Sequence, residues 1–314
     1  MTGKQVGKRI IQIIVVLFGI SFLTFGLMYL APGDPARAMY ASAGSIPDEE
    51  VIEQTREEMG LNRPFLVQYG SWLSGVLKGD MGTSLTLKKP VVEIMTARLW
   101  PTLKMALFAI ALVILFSFPL GMFTAVHHNR AADYIVRSLT FIGNSLPSFW
   151  VALMLMYFFA LKLGVFPVMS TGTGFQDLVL PSVTLAISMT AVYTRQVKAA
   201  VLDELQQGYV RGGQLRGLKQ RTILWRHVLK NAMLPLVTLL GLSFGSLLGG
   251  TTVVEVIFSY PGLGNMAVQA VTNRDYPLIQ GYVLWIALIY MVINLLVDIS
   301  YEFLDPRTKE RLRG

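Results

Sequence analysis

Few groupings in this sequence have the residue types and spacing for covalent or metal chemistry. Gly241-Leu242-Ser243-Phe244-Gly245 matches G-x-S-x-G, the pattern that lifts a nucleophilic serine onto a strand-to-helix turn beside a histidine base. Here the five residues sit inside a long apolar stretch, and no histidine follows them. The only histidines are His127, His128 and His227, all at the edges of apolar stretches. With no cysteine in the chain, thiolate nucleophiles, thiolate ligands and disulfides are excluded. A nickel-like ion wants imidazole or soft ligands gathered together, so no metal site is expected. No G-x-x-x-x-G-K-S/T loop is present to cradle phosphates. We therefore expect no catalytic residue and no cofactor on this chain.

What remains is a binding surface. Residues 195–231 carry eight Lys and Arg against Asp203 and Glu204, a net +6. The pattern predicts a helix over 202–215, a stop at Gly217 and a second helix over 220–230. Glycine supplies the left-handed conformation of such a corner at low cost. A basic segment of this kind can lie on anionic headgroups. The sharper reading is a rigid knob that enters a protein partner.

Six stretches free of Asp, Glu, Lys and Arg hold this segment in place: 10–30, 105–126, 138–161, 178–194, 232–254 and 278–297. Each is about the 20 residues needed to span a bilayer. The composition agrees, at 53% hydrophobic and only 15% charged, because charge inside lipid is expensive. We expect an all-α integral membrane protein with six transmembrane helices. The first stretch is too long for the apolar part of a leader peptide and reads as a retained span. Lys and Arg favour the cytoplasmic side, and 17 of the 27 fall there if the N-terminus is inside. Both termini are then cytoplasmic. The net charge of +8 reflects this asymmetry rather than a nucleic-acid-binding face.

The expected organisation is a cytoplasmic N-terminus and first span (1–30), an extracytoplasmic loop domain (31–104), a five-helix core (105–297) containing 195–231, and a cytoplasmic tail (298–314). In the loop, Pro47 with Asp48, Glu49 and Glu50 predicts a helix start, and Gly60 its end. Phe65, Tyr69, Trp72, Leu73 and Val76 recur at helical spacing. We expect a small external cap on the helix ends, which also offers a docking surface. Gly241, Gly245 and Gly249 follow the small-xxx-small pattern of close helix packing.

The basic corner resembles the cytoplasmic motif of bacterial ABC importer permeases, E-A-A-x-x-x-G followed by H-x-L-x-N and Pro. The run Tyr209-Val210-Arg211-Gly212-Gly213-Gln214-Leu215-Arg216-Gly217-Leu218 precedes Arg226-His227-Val228-Leu229-Lys230-Asn231-Ala232-Met233-Leu234-Pro235. Arg211-Gly212-Gly213 stands where E-A-A would be. Peptide-type members also usually replace that Glu; the two glycines are a further departure. Further runs resemble the dipeptide, oligopeptide and nickel branch, in its first permease subunit type. These include Ala31-Pro32-Gly33-Asp34-Pro35, Leu146-Pro147-Ser148-Phe149-Trp150, Arg274-Asp275-Tyr276-Pro277 and Leu304-Asp305-Pro306-Arg307.

The resemblance implies a type I ABC importer permease fold in a bacterial inner membrane. It implies half of a translocation pore for peptides or for nickel and other metal chelates. The implied partners are a second homologous permease, two cytoplasmic ATPases that hold ATP and Mg, and an extracytoplasmic solute-binding protein. Tyr209, Arg211, Gly212, Gly213, Arg216, Gly217, Leu218, Arg226, His227, Asn231 and Pro235 would form the ATPase-coupling segment. The rival readings are a channel outside the ABC class and an intramembrane serine protease.

Overall fold

The computed structural model describes residues 3–41, 47–172 and 174–304. The expected charges at Arg307, Lys309, Arg311 and Arg313 lie outside them. Among the described residues the chain is helical with no strand; a lone antiparallel bridge joins Thr83 and Pro90. Four helices are long and apolar enough to cross a membrane: Gly7–Leu30 within α1 (Gly3–Leu30), α5 (Val91–Val126), α8 (Phe175–Leu205) and Tyr276–Ile299 within α14 (Tyr276–Leu304). The expected stretch 232–254 lies largely in α11 (Leu229–Gly250), which Thr251 separates from α12 (Thr252–Ile257).

The third stretch is not the single straight helix that its lack of charge implied. It is a pair, α6 (Ala131–Ser145) and α7 (Ser148–Leu155), the latter continued by a π-helical turn at Met156–Lys162. The two parts are bent by 98° and make a fifth crossing if they are one span. Pro147 causes the break. Its ring disfavours the α conformation in the residue before it, and Leu146 is extended, with φ −79° and ψ 128°. α5 departs in another way, beginning at Val91 rather than at 105. At 36 residues it is about 54 Å long, well beyond a hydrocarbon thickness of about 30 Å.

The chain divides into two compact units, the first holding Met1–Thr102 and Pro261–Val292. Its helices include α2 (Pro35–Ala41), α3 (Glu49–Glu58), α4 (Phe65–Leu77) and α13 (Leu263–Thr272). Pro47 precedes α3, whose N-cap is Asp48, and Gly60 follows it with φ 68°. Instead of sitting on a helix end, α4 crosses α1 along its side. Phe65, Tyr69 and Trp72 meet Phe22, Phe25 and Tyr29 edge-on or tilted, at 5.1–5.7 Å between ring centroids. Behind them Val91, Ile94 and Met95 pack with Leu263, Met266, Ala270 and Leu278. Buried Asp275 ties this unit together. Its carboxylate accepts from Ser84 Oγ at 2.5 Å and from the backbone N–H groups of Leu85 and Thr86 at 3.1 Å each.

The second unit holds Leu103–Tyr260 and Ile293–Gly314. One cluster gathers Met105, Ala109, Ala152, Leu180, Leu185, Leu247, Val254, Phe258 and Tyr260. Small residues let the helices approach. A Cβ on Gly121 would lie 2.6 Å from Val197 Cβ, and one on Gly143 3.5 Å from the Cβ of Ala191.

Candidate functional site

The basic corner grows from the end of α8, which runs on to Leu205. The expected helix over 202–215 is therefore two pieces, the end of α8 and α9 (Gly208–Leu215). Between them Gln206 and Gln207 donate their N–H groups back to Asp203 and Glu204 carbonyls at 3.3 and 3.1 Å. Gln207 then turns extended and caps α9.

At its far end α9 stops as the glycine predicts. Gly217 has φ 75°. Its N–H reaches the Gln214 carbonyl at 2.9 Å, and the N–H of Leu218 reaches Gly213 at 3.1 Å. That pair of bonds is a Schellman closure. The chain re-enters at α10 (Gln220–Thr222), passes through a π turn at Ile223–Val228 and continues into α11 with helical backbone throughout. The expected separate helix over 220–230 is thus the start of the fifth long element. Arg226 and His227 lie on the π turn, exposed.

Beneath the corner Val210, Ile223 and Val228 are buried against Met122 and Ala125 of α5, Val197 and Val201 of α8, and Ala232 and Leu236 of α11. The knob is therefore seated on three long helices at once. Its outer face is different. Leu215 is 90% exposed, the highest value among the exposed large apolar side chains, and Leu218, Trp225 and Tyr209 are also exposed. Arg211 and Arg216 stand exposed among them. Gly212 faces open space, whereas a Cβ on Gly213 would touch Ile223 at 3.4 Å.

Tyr209 braces the corner. Its hydroxyl donates to Glu204 Oε2 at 2.6 Å, and it also bonds Asn231. Burial and the Glu204 contact push the phenol up to about 12, against a smaller opposing effect of Asn231. The phenol therefore stays protonated over the physiological range. Tyr209, Glu204 and Asn231 thus link the end of α8, α9 and the start of α11. Pro235 lies in α11 and its side chain is outside the described ones.

A second polar joint lies one helix face away. Asp133, buried at the start of α6, accepts from Lys198 Nζ of α8 at 2.5 Å, Arg137 Nη2 at 3.2 Å and the Asn129 N–H at 3.0 Å. His128 Nδ1 is 3.7 Å away. Sequence reasoning passed over Asp133, although it is the only acid between Glu93 and Asp177.

Of the glycine stripe, Gly241 abuts Val297 of α14, Gly245 is buried, and a Cβ on Gly249 would meet nothing within 4 Å. The G-x-S-x-G residues are continuous helix within α11, without the turn a nucleophile needs. Ser243 Oγ accepts a bond from the Tyr193 hydroxyl at 2.6 Å.

Comparison with known proteins places these features. Residues 117–310 match the family described as "Binding-protein-dependent transport system inner membrane component", and residues 4–106 match its N-terminal counterpart. The glutathione transport system permease protein GsiC of Pectobacterium atrosepticum is 38% identical over 299 residues, covering 95% of this chain and 96% of that protein. GsiC of Escherichia coli K12 is 36% identical over the same lengths. Among solved structures, the inward-facing MetNI methionine ABC transporter matches with a TM-score of 0.56 at 17% identity. The match covers 68% of this chain and 96% of that one. An amino acid ABC transporter crystallised with histidines matches at 0.51 and 19% identity, covering 75% and 98%.

Proposed function

The chain belongs to the inner membrane components of binding-protein-dependent transport systems, the permeases of ABC importers, and we propose that within this family it carries short peptides. As a permease it is a multi-pass protein of the bacterial inner membrane and not an enzyme; ATP hydrolysis belongs to a separate subunit. The peptide reading is supported by relatives named for transport of glutathione, itself a tripeptide. Nickel and metal-chelate cargo has no such support.

The proposed topology is six spans with both termini in the cytoplasm, the broken pair α6–α7 counting as one. The proposed domain plan keeps loop 31–104 outside, 105–297 as the permease core and 298–314 as a cytoplasmic tail. In the proposed assembly, this chain and a second permease form the pore, two ATPases bind below and a solute-binding protein delivers cargo from outside. The chain itself holds no cofactor.

The observation that carries the mechanism is the exposed Leu215 tip on a corner seated on α5, α8 and α11. A push from closing ATPases on Tyr209, Arg211, Arg216, Leu218 and their neighbours reaches three helices through one packed cluster. Packed interiors transmit strain rather than absorb it, so the helices move together between outward- and inward-facing states. Gly241 and Gly245 supply close helix contacts within that moving body.

The test is purification from mild detergent with identification of bound proteins, then reconstitution in proteoliposomes. We expect a second permease and ATPase subunits to co-purify, and ATP-dependent uptake of labelled glutathione or di- and tripeptides. Uptake of a nickel chelate without peptide uptake would overturn the cargo assignment. A chain that purifies intact and alone would overturn the assembly.

A further inference from the structure

We propose that α4 lies in lipid, as an in-plane helix of the leaflet reached by the C-terminal end of α1. Under the topology proposed above, this is the outer leaflet. Loop 31–104 then contains a membrane-embedded segment, not only a water-exposed cap.

Four observations carry this. First, the 13 residues of α4 include no charged side chain, while Arg63 and Lys78 flank its two ends. That is the charge distribution of a helix sunk to the acyl boundary with cations at phosphate level. Second, α4 packs on α1 as far down as Phe18, whose ring is 6.1 Å from Tyr69. Phe18 lies about 18 Å along the axis from the end of α1 at Leu30, inside the hydrocarbon. Third, α4 exposes large apolar side chains, with Leu66 69%, Val67 48% and Leu77 81% exposed, beside the small residues Gly70, Ser71 and Ser74. On the side of α1 turned away from α4, Leu23, Leu27 and Leu30 are also more than 60% exposed, so the helix that α4 packs on is itself open and apolar as a spanning helix must be. Fourth, three polar side chains of α4 are bonded within the protein, as an apolar medium favours, while the indole N–H of Trp72 is buried without a partner. Ser74 Oγ donates to the Ser71 carbonyl at 2.7 Å, Tyr69 shares a bond with Ser21 at 2.8 Å, and Gln68 Nε2 donates to the Leu61 and Arg63 carbonyls. A water-facing cap would need neither the exposed apolar side chains nor the depth.

The chain lacks cysteine, so single cysteines give unambiguous spin labels. Leu66→Cys and Leu77→Cys are labelled in lipid nanodiscs holding the full chain. Leu27→Cys on α1 is the lipid reference and Glu57→Cys on α3 the aqueous one. Collision with dissolved oxygen and with a water-soluble nickel chelate is then measured. We expect oxygen collision like that of Leu27 and chelate collision about tenfold below that of Glu57, because a polar reagent is excluded at acyl depth. Chelate collision equal to Glu57 would place α4 in water and overturn the proposal. Low collision with both would place it under a protein partner and overturn it equally. Neither result depends on cargo or on the ATPase, so the importer reading stands or falls separately.

Discussion

Leu215→Ala is the sharpest test of the corner. Leu215 is 90% exposed in the isolated chain, so truncating it leaves no cavity, and the fold should change by less than about 0.5 kcal/mol. Under the proposed coupling, the same side chain enters a groove on the ATPase. Burying a leucine contributes about 1.5–3 kcal/mol, and alanine keeps only the first carbon of it. The loss is therefore about 2 kcal/mol of association free energy, or roughly 30-fold in affinity. The assay is titration of purified ATPase against the permease in detergent, with thermal unfolding of the permease alone as the control. Peptide uptake in proteoliposomes should fall in parallel, and raising the ATPase concentration should restore part of it. If Leu215→Ala binds the ATPase within about twofold of the parent, well short of the burial estimate, Leu215 does not enter a groove and the tip assignment fails.

Other substitutions probe the frame beneath the tip. Gly217→Ala should weaken the corner by about 1–2 kcal/mol, because φ 75° is left-handed. Gly217→Pro also removes the N–H bonded to Gln214; it should leave membrane insertion intact but abolish uptake, as read by protein level and transport together. Asp133→Asn leaves the Lys198 ammonium without its carboxylate and should cost about 3–5 kcal/mol, measured as a lowered unfolding midpoint; adding Lys198→Gln should recover part of it. Tyr209→Phe should cost about 1 kcal/mol by losing its bond to Glu204. The Tyr209 phenol is raised on folding, so its contribution is complete below the ordinary tyrosine range and is lost as pH rises through about 12. Uptake should therefore show no tyrosine-linked step between about pH 6 and 9.

The apolar helices were legible because lipid excludes charge, and runs of uncharged residues mark them directly. That criterion cannot see a bend. The fold of α6 onto α7 is written in Leu146-Pro147, but nothing charged punctuates it. Gly217 was readable because a left-handed corner has one cheap residue. The break at Gln206-Gln207 has no such residue, since glutamine is a good helix former, and the π turn at Ile223–Val228 follows no periodicity. Most hidden was Leu215. A leucine in a helical pattern reads as core, and only the packing of Val210, Ile223 and Val228 below it reveals that Leu215 points away. Tyr209 and Asn231 came from the resemblance, but the bonds by which Tyr209 joins Glu204 to Asn231 needed the backbone path between them.

The Asp275 clasp also bears on how the protein is made. Ser84, Leu85 and Thr86 leave the ribosome some 190 positions before the carboxylate that holds them. At ordinary translation speeds that is a wait of about 10–40 s. Throughout it the loop between Thr83 and Pro90 lacks the carboxylate that its three donors meet in the folded chain. The first unit is thus begun early and finished almost last, when α13 and the head of α14 emerge. A nascent chain stalled or cut before residue 275 therefore carries this loop unclosed.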